Sequence, residues 1–245
     1  MMRADYLKFR NSGYYFVALL ALAVTAFWQP YFSHVLGDFF DYTADISGYK
    51  HLHVIMSASW LALLIAQPFL IRGNKRALHR KLGRISFVLA PLVFVTIILL
   101  AHSQIVTLAE QADARRHFIL FIQLGFALFF AVLYGMAMLK RRNPSIHARY
   151  MICTGILMIE PILVRVFKFN LSSISWSVPY QYVTWPMVDL ILVALIISDY
   201  RQNTGGRVFQ YALAVFVTFQ VLHLTITDTQ PWINFAGWFA GLPLT

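Results

Sequence analysis

Charge is scarce in this chain. Only 12% of its 245 residues are Asp, Glu, Lys or Arg, against 59% hydrophobic, which is too little charge to clothe a water-soluble core of this size. Cysteine is reduced to Cys153 inside an apolar run, so neither a disulfide framework nor a paired-thiol site is available. GxGxxG, a phosphate-cradling loop, the nucleophile elbow and HExxH are all missing, which removes the common dinucleotide, nucleotide, α/β-hydrolase and zincin signatures. Gly125 and Gly135 stand too far apart for GxxxG, so close helix crossing is not specified in that segment.

What the chain does have is long apolar runs. Read against Gly, Pro and charged breakers, they give about seven spans: residues 14–32, 51–71, 85–105, 117–139, 146–166, 183–198 and 208–226. Their length suits bilayer-crossing helices rather than barrel strands, and nothing is left over for a soluble domain. The expected fold is therefore all-α: a polytopic membrane helix bundle, one integral membrane domain over 1–245, in contact with lipid. The basic N-terminus before residue 14 (Arg3, Lys8, Arg10) is like that of a signal peptide. The run that follows ends in aromatics without a clear small-residue cleavage site, so it is expected to be retained.

A net charge of +10 in a soluble protein would suggest nucleic acid. Here fifteen of twenty Lys/Arg lie in the N-terminus, 72–84, 140–149 and 199–207, and five in the alternate connections. That is the positive-inside signature, not a nucleic-acid footprint. It predicts the N-terminus inside, the C-terminus outside, a multi-pass protein of the bacterial inner (plasma) membrane, and 227–245 as an outer interfacial tail. Asp38, Asp41, Asp45, Glu110, Asp113 and Asp228 fall in outer segments. Trp28, Tyr31, Trp176, Tyr180, Tyr182, Trp185, Trp232 and Trp238 suit the interfacial belts. No feature sets an oligomeric state.

Chemistry has to come from the few polar groups at membrane depth, because each is costly there unless paired or solvated. Six of eight histidines (His34, His51, His53, His102, His117 and His223) are expected near outer helix ends, and His79 and His147 near inner ones. Glu160 and Arg165 in the fifth span and Asp189 in the sixth form either a structural ion pair or a gating group. Pro161 frees a carbonyl one turn earlier and bends that span. His51 and His53 point about 200° apart on a helix, so only one of them faces inward.

Three arrangements follow. Outer His53 and His117, and inner His79 and His147, alternate along spans two to five so that a four-helix core could ligate one haem near each face by one histidine from each of two helices. Arg72, Arg76, Arg80, Arg84 and Arg149 are available to neutralise propionates on the inner side, and Arg115 and Arg116 on the outer. Alternatively His51, His53, His102, His117 and His223, with Glu160 or Asp189, gather one zinc or iron site that activates water. A third arrangement needs no cofactor: the same groups line a polar path for proton-coupled transport.

Two segments carry a resemblance. Leu78-His79-Arg80-Lys81-Leu82-Gly83-Arg84 and His147-Ala148-Arg149-Tyr150-Met151 resemble recurring turns of an uncharacterised family of predicted bacterial polytopic membrane proteins. The histidine alternation from His51 to Arg165 more weakly resembles the ascorbate-reducible transmembrane b-type cytochromes. That likeness implies haem b, electron transfer, a quinone or small redox donor as partner, and His53, His117, His79 and His147 as ligands. Seven spans with an inside N-terminus are also similar to membrane hydrolases related to adiponectin receptors and alkaline ceramidases, but their last-span His-x-x-x-His is absent because His223 stands alone.

Overall fold

The computed structural model of the protein describes residues 9–33, 35, 48–107, 113–171, 179–202 and 206–245. His34, Asp38, Asp41, Asp45, Glu110 and Trp176 lie outside them. The described chain is all helix, without strands: α1 Ser12–Phe27, α2 Gly48–Arg72, α3 Arg76–Gly83, α4 Ser86–Thr107, α5 Asp113–Leu139, α6 Pro144–Ile156, α7 Ile159–Arg165, α8 Gln181–Arg201, α9 Val208–Ile226 and α10 Gln230–Ala240. Seven segments are long and apolar enough to cross a bilayer: Ser12–Phe32, Gly48–Arg72, Ser86–Thr107, Arg115–Leu139, Pro144–Asn170, Gln181–Arg201 and Val208–Ile226. They match the seven runs read from the sequence. At about 1.5 Å per residue, the 25 residues of α2 exceed a hydrocarbon core of about 30 Å. The protein is an integral membrane helix bundle.

Local signals explain several ends. After α2 the chain reverses through Gly73 and Asn74, whose φ of +57° lies in the left-handed region that Asn enters more readily than most residues. Gly73 N and Lys75 N close this turn on the carbonyls of Phe69 and Leu70, both at 2.8 Å. The Asn143 side chain accepts from Ile146 N at 3.3 Å, and Pro144 follows at the first helical position, where its missing N–H costs nothing. The fifth span is broken as Pro161 predicts. Its ring removes the bond to the Leu157 carbonyl, the helix tightens at Met158 N to Gly155 O (3.0 Å), and α7 starts afresh at Ile159.

Neighbouring spans pack in sequence, α1 on α2, α2 on α4, α4 on α5, α5 on α6 and α8 on α9, while α6 also touches α9 and α7 touches α1 and α8. One buried cluster joins α1, α2 and α4 around Trp60 and Phe16; another joins α5, α6, α8 and α9 around Trp185 and Phe219. Close approach does occur at Gly125, which receives the ring of Phe219, and at Gly155, which receives Phe16. A single glycine accepting an aromatic ring needs no GxxxG, which is why the missing motif gave no warning. The tail forms α10, which packs against α4 and α5 and buries Ala236 and Phe239.

The three basic connections meet at one end of the bundle: Arg72 donates to the Asn11 side chain, Phe9 rests edge-on against Phe209 at 6.4 Å, and Arg149 reaches Asp199. We call this the basic end, and the other the far end.

Candidate functional site

Each end of the bundle holds a cavity. The one at the basic end, about 1550 Å³, is walled by α2, α3, α5, α6 and the start of α9, and His79 and His147 both line it. His147 Nδ1 donates to the Ala137 carbonyl at 2.9 Å, so its Nε2 is the nitrogen with a lone pair. His79 is held by Gln67. With the amide oxygen accepting from Gly83 N (3.2 Å), the amide nitrogen donates to the His79 carbonyl (3.2 Å) and to His79 Nδ1, which leaves the ring proton on Nε2. His79 sits in α3, outside the spans. Burial pushes its pKa below the ordinary value, opposed in part by a hydrogen bond to the Gln67 backbone and helped by the nearby His147 and Arg80, so the imidazole is neutral at pH 7. Arg76, Arg80, Arg84, Arg141 and Arg207 also line this cavity.

Beside the cavity is a charge pair. Arg149 is 0% exposed and Asp199 is 6% exposed. Arg149 Nε and Nη2 donate to the two Asp199 oxygens at 2.7 and 3.1 Å, the two-pronged geometry that guanidinium and carboxylate share. Its Nη1 donates to the Ser145 carbonyl (3.1 Å) and hydroxyl, and its face lies 4.8 Å from the Phe9 ring centre. Gly206 is required here, since a Cβ would lie 2.7 Å from Arg149 Nε. The sequence offered Arg149 as a propionate partner, whereas the structure commits it to Asp199. Asp199 is an acid inside a basic connection, and that was the available signal for the pairing.

The far-end cavity, about 1150 Å³, is lined by His53, Trp60, Gln123, Glu160, Arg165 and His223 among others. His53 is the inward member of its pair: Nδ1 is 3.2 Å from Thr96 Oγ1 on α4 and Nε2 is 3.4 Å from Ser57 Oγ. His51 turns instead to Tyr31 Oη at 2.7 Å. His117 is buried but does not line this cavity, and its carbonyl accepts from Trp232 Nε1 at 3.2 Å. His79 and His147 thus share a cavity, and His53 and His117 do not.

The groups of the zinc or iron arrangement have separate partners. His102 Nδ1 meets Thr245 Oγ1 at 2.6 Å, His223 lies between the Gln220 carbonyl (2.5 Å) and Tyr182 Oη (3.4 Å), and Asp189 accepts from Gln220 Nε2 at 3.1 Å. Among the described residues, no three His, Cys, Asp or Glu side chains come together as a metal would need. Glu160 and Arg165 attract one another electrostatically, but Asp189 is engaged with Gln220, so the expected three-residue tie between fifth and sixth spans is replaced by Arg149–Asp199.

Glu160 is 3% exposed, and its Oε1 has no hydrogen-bond partner. Arg165 donates Nη1 to the Pro161 carbonyl at 2.8 Å and lies 4.5 Å over Phe27. One guanidinium nitrogen is thereby held by the backbone, and the charge acts on Glu160 without a close ion pair. The Thr184 hydroxyl, in the adjacent span, interacts with the Glu160 carboxyl without making a close hydrogen bond to Oε1.

Comparison of the chain with protein-family models, curated proteins and solved structures yields no match.

Proposed function

We propose that this integral membrane protein is a b-type-cytochrome-like electron carrier that holds haem in the basic-end cavity between His79 and His147. The observation that carries this reading is that these two histidines, from α3 and α6, line one cavity and each has Nδ1 engaged, by Gln67 and by the Ala137 carbonyl. Haem bound by two imidazoles supplies one-electron redox chemistry, tuned by the hydrogen bonds behind the ligands. The chain supplies the rest. Gln67 and Ala137 fix ring orientation, a neutral His79 presents a nitrogen rather than a cation, and Arg76, Arg80, Arg84 and Arg141 offer charge to propionates. Ligation through His79 Nε2 requires the Gln67 amide to turn its oxygen towards Nδ1.

That amide favours a second reading at the same place. As oriented, His79 offers an N–H and His147 a lone pair, a donor and an acceptor beside several arginines, which suits an acidic solute or headgroup held by hydrogen bonds. The absorption spectrum of protein purified from haem-sufficient cells separates the two. The haem reading expects Soret and α bands in the reduced sample, lost in His79→Ala and in His147→Ala but kept in His117→Ala. A bandless wild-type spectrum rejects haem and leaves the anion reading.

A further inference from the structure

Two residues that line the far-end cavity, Glu160 and Gln123, each bury an oxygen that makes no close hydrogen bond. We propose that this cavity is a binding site for a lipid-soluble hydroquinone, whose ring hydroxyls donate to Glu160 and Gln123. Glu160 Oε1 is an acceptor without a partner in a side chain that is 3% exposed. Gln123 Nε2 donates to Gln104 Oε1 at 2.9 Å, which leaves Gln123 Oε1 buried and also without a partner. Both residues line the cavity. Native proteins leave few buried acceptors unmet, because each costs about 1–3 kcal/mol. Two such acceptors in residues that line one cavity point to a ligand that donates hydrogen bonds once the side chains turn towards it.

The walls narrow the class of that donor. Arg115, Arg165 and Lys168 line the site together with the carboxylates of Glu160 and Asp228, so the cations outnumber the acids and a neutral hydroxyl fits better than an ammonium donor. Phe27, Trp60, Phe118, Phe126 and Phe130 supply aromatic surface for a ring. The route of entry is lateral: Leu20, Val24 and Leu224 belong to the cavity wall and are 36%, 41% and 61% exposed. In a membrane-spanning helix such apolar exposure faces lipid, so the ligand arrives from the bilayer. A hydroxylated ring on an apolar tail satisfies all three constraints. The inference goes beyond the haem reading and concerns the opposite cavity.

The test uses the full chain in phosphatidylcholine nanodiscs, titrated with a short-chain alkyl hydroquinone and with its dimethyl ether, and read by quenching of tryptophan emission, to which Trp60 in the wall contributes. The ether partitions into lipid similarly but has no hydrogen to donate. Saturable binding is expected, with the hydroquinone preferred by about tenfold or more, the factor that about 1.4 kcal/mol of hydrogen bonding gives. Glu160→Leu and Gln123→Leu should each shrink that preference to about threefold or less. Should Glu160→Leu fail to accumulate, Gln123→Leu decides alone. No saturable binding, equal affinity for the two compounds, or full preference retained in the variants overturns the proposal. Since this readout is fluorescence and the haem test is absorption at the basic end, either can fail without touching the other.

Discussion

The two ends of the bundle treat buried charge in opposite ways. At the basic end Arg149 and Asp199 saturate each other, with Ser145 and Phe9 occupying what is left of the guanidinium. At the far end Glu160 keeps a buried oxygen without a partner while the nearest cation is turned to Pro161 and Phe27. The contrast separates two uses of an ionisable group at membrane depth. A satisfied pair fixes how helices dock, in this case α6 against α8. A group left short of partners beside a cavity is where local consistency has been given up, which in folded proteins marks function.

The largest effect expected from this contrast is at Arg149–Asp199. Arg149→Met or Asp199→Leu alone should destabilise the protein by about 3–5 kcal/mol, since each strands a buried charge, whereas the double variant should recover most of the loss. Thermal unfolding in detergent reads all three. A double variant no better than the singles would mean that the pair is not what docks these helices. Next in size, Gly206→Ala should cost about 1–3 kcal/mol by pushing a methyl into Arg149. That penalty should largely vanish in the Arg149→Met background, a double-mutant test of contact.

Glu160→Gln should be neutral or stabilising by up to about 1 kcal/mol, because it relieves an unmet buried acid rather than breaking a bond. Destabilisation on the scale of the Arg149 variants would erase the contrast between the two ends. The smallest effect is in pH. Because burial lowers the pKa of His79 in the fold, the unfolded chain binds more protons as pH falls through its ordinary value of about 6.5. This histidine's contribution is therefore full above about pH 6.5 and is lost as pH drops towards the folded value. A stability profile from pH 8 to 5 should slope down on the acid side, and His79→Ala should flatten part of that slope.

Individual residues show how far the sequence could be read. The seven spans were legible because lipid demands about 20 apolar residues per crossing and every backbone bond made within the helix. Pro161 announced the break between α6 and α7 because a missing N–H acts locally. That one of His51 and His53 must face away followed from helical period; that His53 is the inward one depended on Thr96, which lies on another helix. His79 and His147 were paired from alternation along the chain, and they do line one cavity, whereas His53 and His117, paired by the same logic, do not. Helix rotation, which depends on packing around Trp185, Phe219 and Trp232, decides such matters and leaves no periodic mark on a run that is apolar all round.

By itself, then, the sequence determined that the chain is a seven-span helical membrane protein and which connections carry its positive charge, because both depend on local composition and the thickness of a bilayer. Only the tertiary structure decided that Arg149 belongs to Asp199, that Asp189 belongs to Gln220 instead of Glu160, and that a cavity-lining glutamate buries one oxygen without a close hydrogen bond. Those outcomes depend on how helices far apart in sequence are rotated against each other, and hydrophobic burial, being non-directional, does not encode that in any one segment.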